Sequence, residues 1–199
     1  TTGTRLQVRV FGGYAFEDII IPLYLTPTTT PDLITKGAKS GLLRSCKYYP
    51  PHGTTNADFG AAISTYMENG VFKTMEDNNI VLNIHGEEHG LAASDYFDKE
   101  SNAEDIFYKK YMPKIVKKFP RLKIVCEHIT TKTAVDFVMN SKENVAATIT
   151  PQHLMFTIGN LVKGFNYQLY CLPLVKFEED RQALLSAANN KDNFKFFAG

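Results

Sequence analysis

No run of apolar residues in this sequence approaches the roughly 20 needed to cross a bilayer as a helix, so a helical membrane protein is not expected. Neither sign of charge dominates: 22 Lys and Arg stand against 21 Asp and Glu, a net charge of +1. No broad electrostatic footprint for nucleic acid or an anionic membrane is therefore expected. Cysteine is scarce. Cys46, Cys126 and Cys171 are far apart and form no C-x-x-C pair, which reads as reduced, mostly buried thiols and argues against a cysteine-rich zinc site. The first residues, "TTGTRLQVRVFGG", lack the basic-then-apolar layout of a secretory signal, and a cytoplasmic location is the expectation. "FGGYAF" does not match the G-x-G-x-x-G of a dinucleotide-binding turn. "KKFPRLK" is locally basic but carries no interleaved aromatic platform, so it reads as a solvated helix end rather than an RNA contact.

What is present is an ordinary globular composition, 44% hydrophobic over 199 residues, enough for one sizeable core. Short β-branched runs alternate with helical stretches. The expected strands are Ile19–Leu25, Leu43–Tyr48, Ile80–His85, Leu122–His128, Val145–Thr150 and Phe194–Ala198. The expected helices are Ala57–Met75, Glu104–Phe119, Thr133–Met139 and Phe177–Ala188, the last with acidic residues in its first turn, where they suit the helix dipole. Nearly continuous hydrophobic strands separated by helices predict a parallel sheet covered on its outside. No linker divides the chain, so one domain over residues 1–199 is expected. An open doubly wound sheet and a (β/α)8 barrel both fit the alternation. A barrel of about 250 residues spends about 31 on each βα unit. By that measure the chain holds about six units, a barrel with pieces missing.

Three successive strands end in a residue able to hold, or become, a metal ligand: Lys47 after "LLRSC", His85 after "IVLNI" and His128 after "KIVCE". In a parallel barrel all strand C-termini meet on one face, where such residues converge. Singly, each has a duller reading: a histidine at a strand end is usually hydrogen-bonded scenery, and a lysine usually snorkels to water. The inference rests on all three standing at the same edge. Glu87 in "HGEEHG" and Glu127 in "CEHITT" are carboxylates able to orient imidazoles, although a purely structural role fits either as well. His153, just past a strand, either touches the site or packs. His52 and His89 read as solvent-facing loop residues, and Cys46 and Cys126 as packing.

The stretches "KYYPPHGTTN", "NIHGEEH", "VCEHITTKTAVDFV", "ATITPQHLMF" and "LYCLP" resemble the dihydroorotases of the amidohydrolase superfamily, in particular the shorter, monofunctional type. The resemblance runs from about Ile19 to Gly199 and keeps the family's order and nearly its spacing. It implies strands three to eight of a metal-dependent (β/α)8 barrel. It further implies a cyclic amidohydrolase that reversibly closes N-carbamoyl-L-aspartate to L-dihydroorotate, releasing water, in pyrimidine synthesis. By resemblance, Lys47 is carboxylated by carbon dioxide and its carbamate bridges two zinc ions, with His85 and His128 as further ligands. Thr54, Thr55, His85 and the backbone of Leu172 match substrate contacts. The partner implied is the small-molecule substrate, and the complete enzyme is expected to be a homodimer.

The sequence departs from the family at both ends. No H-x-H occurs among its five histidines, His52, His85, His89, His128 and His153, so the H-x-H-x-R of the family's first strand is missing. The family's second strand, with its substrate-binding asparagine, has no counterpart either. "FKFFAG" resembles the eighth strand, after which the catalytic aspartate and a substrate-contacting histidine are expected beyond Gly199. Residues 1–18 match poorly, although Leu6, Val8 and Val10 alternate as in a strand. The expectation is a dihydroorotase truncated at both ends and inactive alone. The competing reading is a non-catalytic barrel remnant that binds a partner or joins an assembly.

Overall fold

The computed structural model describes residues 20–53, 57–191 and 194–199. Six strands form one sheet: β1 (Leu23–Tyr24), β2 (Ser45–Tyr48), β3 (Val81–Ile84), β4 (Ile124–Cys126), β5 (Val145–Ile149) and β6 (Phe196–Ala198). All neighbouring pairs are parallel and the order is β1-β2-β3-β4-β5-β6. A doubly wound sheet reverses its strand order at one point. Here every crossover moves to the next neighbour, as around a barrel wall, and the open-sheet alternative falls.

Nine α-helices lie among the described residues: α1 (Pro31–Lys39), α2 (Ile63–Glu68), α3 (Val71–Asp77), α4 (Ala103–Lys110), α5 (Met112–Lys118), α6 (Lys132–Asn140), α7 (Pro151–Met155), α8 (Ile158–Val162) and α9 (Glu178–Asn189). The expected helix over Ala57–Met75 is two helices. Gly70 sits between them at φ 88°, a left-handed conformation that glycine adopts without the Cβ penalty. The expected Glu104–Phe119 helix also divides, at Tyr111 just before Pro113, which has no N–H to offer the preceding turn. Helix α1 has no counterpart among the expected elements. Thr30 caps it by accepting the Leu33 N–H at 3.2 Å, Pro31 opens it and Lys39 ends it, as the helix dipole favours. The possible strand around Leu6, Val8 and Val10 lies outside the described residues.

Alternation along each strand sorts its side chains between two faces. Cys46, Tyr48, Leu82, Ile84, Ile124, Cys126, Val145, Ala147 and Ile149 enter the core under the helices, joined there by Tyr66, Phe72, Met75, Phe107 and Met112. The Tyr66 hydroxyl, within that core, donates to the Leu25 carbonyl at 2.9 Å. The opposite parity, Lys47, Asn83 and Val125, faces the inside of the curved sheet. Register places Lys47 opposite Asn83 and Tyr24 opposite Lys47. The strands are shorter than their apolar runs: β2 and β6 begin two residues late, β3 and β4 are trimmed at both ends, and β5 loses only its last residue.

Candidate active site at the strand ends

Lys47 lies on the inner face of β2 and is only 6% exposed. It does not reach water. Its Nζ meets the Glu127 Oε2 and stands 4.7 Å from the Tyr49 ring centroid. Burial lowers the pKa of this amine, while the Glu127 charge and hydrogen bond oppose the shift. His85 follows β3 with the same inward parity and is 1% exposed. Its Nε2 is 2.7 Å from the Glu87 Oε2. A carboxylate accepts, so Nε2 carries the proton and Nδ1 keeps its lone pair. Glu87 thus orients an imidazole, whereas Glu127, next to His128, engages the lysine.

His128 departs from the strand rhythm. Glu127 continues the inward parity of β4, and a further extended residue would point to the core. Instead His128 adopts φ 43°, a left-handed backbone that costs a non-glycine residue about 1–3 kcal/mol. Its ring consequently packs against that of His85, centroids 4.7 Å apart. Its N–H donates to the Thr148 Oγ1 at 2.8 Å, and the Ile129 N–H to the Thr148 carbonyl at 3.0 Å. Burial, with the neighbouring His85 and Lys47, pushes the imidazole pKa down to about 2. The ring is neutral at any ordinary pH. Its Nδ1 is buried and has no hydrogen-bond partner, an orphan lone pair or proton of the kind that asks for an explanation.

Behind the cluster stands a second set of buried polar groups. Glu104, in the first turn of α4 and 2% exposed, receives the Thr130 N–H at 2.9 Å and Oγ1–H at 2.7 Å, and the Thr131 N–H at 2.9 Å and Oγ1–H at 2.8 Å. Burial pushes its carboxyl pKa up to about 7 against the opposing pull of Lys176 and of those donors. His153 is a packing residue with a defined tautomer. Its Nε2 lies 2.9 Å from the Pro173 carbonyl, which can only accept, so Nε2–H donates and Nδ1 accepts from the Thr150 hydroxyl at 2.6 Å. Burial pushes its pKa down to about 4.

The structure therefore gathers Lys47, His85 and His128 at one end of the sheet. Leu172, joined to Pro173 by a cis peptide, sets its side chain against the small cluster of Leu161, Leu174 and Val175, while His153 ties the adjoining Pro173 carbonyl toward α7. Thr54 and Thr55 lie outside the described residues. His52 is exposed and pairs with Asp58 at 3.0 Å, and His89 is partly exposed beside Glu88. Cys46 and Cys126 are buried, with thiol pKa values raised to about 12 by burial, but Cys171 is exposed. Among the described residues no three His, Cys, Asp or Glu side chains group to hold a metal. The strand-end cluster offers two imidazoles and an amine instead. Glu104 and the Pro173 carbonyl were not legible in the sequence, because their roles appear only when α4 and the segment before α9 are packed.

Six sequentially ordered parallel strands with a polar cluster at their C-terminal ends define an α/β partial barrel of the amidohydrolase type. The D-hydantoinase of Bacillus sp. AR9 shares that fold, with a TM-score of 0.64 at 15% identity over 84% of this chain and 40% of that one. More particularly, the chain is a homologue of the dihydroorotases. It is 43% identical to the dihydroorotase of Acaryochloris marina over 188 residues, 94% of this chain and 52% of that protein. It is 43% identical to that of Shewanella amazonensis over 196 residues, 97% of this chain and 54% of that protein. The dihydroorotase of Saccharomyces cerevisiae, solved with 5-fluoroorotic acid, superposes with a TM-score of 0.75 at 34% identity, over 88% of this chain and 50% of that one. No family model matches. The chain spans about half the length of the curated relatives it matches, and the aligned part takes in most of residues 1–18.

Proposed function

We propose that this chain carries the Lys47–His85–His128 part of a dihydroorotase active site, within a single barrel domain. The activity proposed is the reversible cyclisation of N-carbamoyl-L-aspartate to L-dihydroorotate with release of water, in cytoplasmic pyrimidine synthesis, by a homodimeric enzyme. The observation that carries this reading is the convergence of a buried lysine amine and two touching imidazoles from three adjacent strands, in a chain homologous to dihydroorotases.

The donor set fits zinc: His128 is neutral and has a buried Nδ1 without a partner, and Glu87 leaves His85 a lone pair on Nδ1. Two zinc ions, held in part by His85, His128 and carboxylated Lys47, would supply Lewis acidity toward the ring amide carbonyl. The chain's own residues prepare the rest. Burial favours the neutral amine of Lys47. Its nitrogen then forms a bond to the carbon of carbon dioxide and releases one proton, leaving a carbamate with two oxygen donors. Before carboxylation the amine lies against the Tyr49 ring and the Glu127 carboxylate, contacts that the anionic carbamate would not keep. The backbone of Leu172, braced through Pro173 by His153, and the side chains of Thr54 and Thr55 are proposed to contact substrate. No catalytic base is assigned within these 199 residues.

The test is carbon-13 NMR of the chain equilibrated with labelled bicarbonate and zinc, beside its Lys47→Ala variant. A carbamate signal present in the first and lost in the second is expected, and no signal in either overturns the reading. Among the described residues no three His, Cys, Asp or Glu side chains group to hold a metal, which favours a second reading, a non-catalytic barrel module. Metal analysis separates the two: about two zinc ions per chain mark a working site, and one or none marks the module.

A further inference from the structure

We infer that Glu104 is the positioning residue for His128, acting through the Thr130–Thr131 turn. This rests on the proposed ligand role of His128. The strained backbone at His128 lies between two clamps. Thr148 on β5 takes the N–H groups of His128 and Ile129. On the other side, Glu104 takes both the N–H and the hydroxyl of Thr130 and of Thr131, all between 2.7 and 2.9 Å. A left-handed histidine persists only where its surroundings hold it, and the residues that immediately follow Ile129 are held by one side chain.

The geometry suits a carboxylate, whose hydrogen-bond donors oppose the burial that raises its pKa to about 7. Four donors converge on two oxygens, and an amide would turn an NH2 group toward at least one N–H or O–H donor. The same contact orders the next helix. Because the Thr131 hydroxyl gives its hydrogen to Glu104, its lone pair is aimed at the Ala134 N–H, 3.1 Å away, and caps α6. Glu104 itself is set by Asn102, whose side-chain oxygen accepts the Glu104 and Asp105 N–H groups at 3.1 Å. A chain of hydrogen bonds therefore runs from the start of α4 to the Thr130–Thr131 turn, two residues along the backbone from His128.

The test compares the full chain with Glu104→Gln and, in case that variant fails to fold, Thr130→Val, which removes one donor and keeps the β-branched shape. The ring C–H signal of His128 in carbon-13 NMR and the affinity for zinc are read together. In both variants the His128 signal is expected to move or broaden while that of exposed His52 stays. In Glu104→Gln the zinc affinity is expected to fall about 10- to 100-fold, the range seen when a residue that orients a ligand is lost. Folded variants with an unmoved His128 signal and a zinc affinity within about twofold overturn the inference. If the unsubstituted chain binds no zinc, the proposed function fails, and the His128 ring signal alone decides the role of Glu104.

Discussion

Lys47 would ordinarily be a solvated cation, and its burial is the feature that a strand ending "LLRSCKYYPP" leaves ambiguous. Alternation resolves it: with Cys46 and Tyr48 in the core under the helices, Lys47 has only the inner face available. The same rule places His85 and would misplace His128, whose direction depends on a left-handed backbone that no sequence pattern announces. His153 gives a prediction at this scale. Its folded pKa of about 4 lies below the usual 6.5, so the unfolded chain binds the extra proton. The stabilisation from keeping it neutral is complete above pH 6.5 and is lost as pH falls toward 4, amounting to about 3 kcal/mol. Glu104 works in the opposite direction, its raised pKa costing stability as pH rises from 4.5 to about 7. Urea unfolding of His153→Gln, whose amide can still donate to the Pro173 carbonyl, is expected to lose correspondingly less stability than the unsubstituted chain between pH 6.5 and 4. Parallel curves would contradict the assignment.

The elements were legible to different degrees. Four of the six strands stood out as β-branched runs, because a parallel strand covered on one side by helices and lining a barrel on the other has little need of polar residues, while "LRSCKY" and "FKFFA" stood out by apolar and aromatic bulk instead. Their lengths were overstated, by one residue at β5 and four at β4, and only Leu23–Tyr24 of the expected Ile19–Leu25 joins the ladder, since apolar character continues beyond the paired residues at one or both ends. Helix breaks at Gly70 and before Pro113 are local signals and were readable in principle. The capping of α6 by Asp180 of α9, which accepts the Lys132 N–H at 2.8 Å, is tertiary and was not. How tightly β3 and α4 dock is set at Gly86, where an added Cβ would meet the Tyr108 ring at 2.8 Å and the Phe107 ring at 3.3 Å. Gly86→Ala is expected to push α4 away from the end of β3 at a cost of about 1–3 kcal/mol, read as a lower unfolding midpoint. An unchanged midpoint would mean that the two elements have slack between them.

For the molecule as a whole, the barrel wall has two open edges among the described residues, β1 and β6. Beside β1, Ile20 and Ile21 are each 54% exposed and Leu42 is 85% exposed. Unpaired strand edges next to apolar side chains recruit other chains. Sedimentation velocity of the 199-residue chain is expected to show concentration-dependent self-association, and a single monomeric boundary at all concentrations would contradict it. The architecture was legible because six strands arrive in order with helices between them. That H-x-H does not occur within these 199 residues was legible too, since it is a local string. What one sequence could not disclose is which distant carboxylate holds which turn.

The cluster draws one side chain from each of three neighbouring strands, so any ion gripping all three fastens β2, β3 and β4 to one another. Occupancy and folding then share a single equilibrium: an ion present at a hundredfold excess over its dissociation constant adds about 2.7 kcal/mol to the native state. The sheet would thereby draw part of its cohesion from the ion it holds.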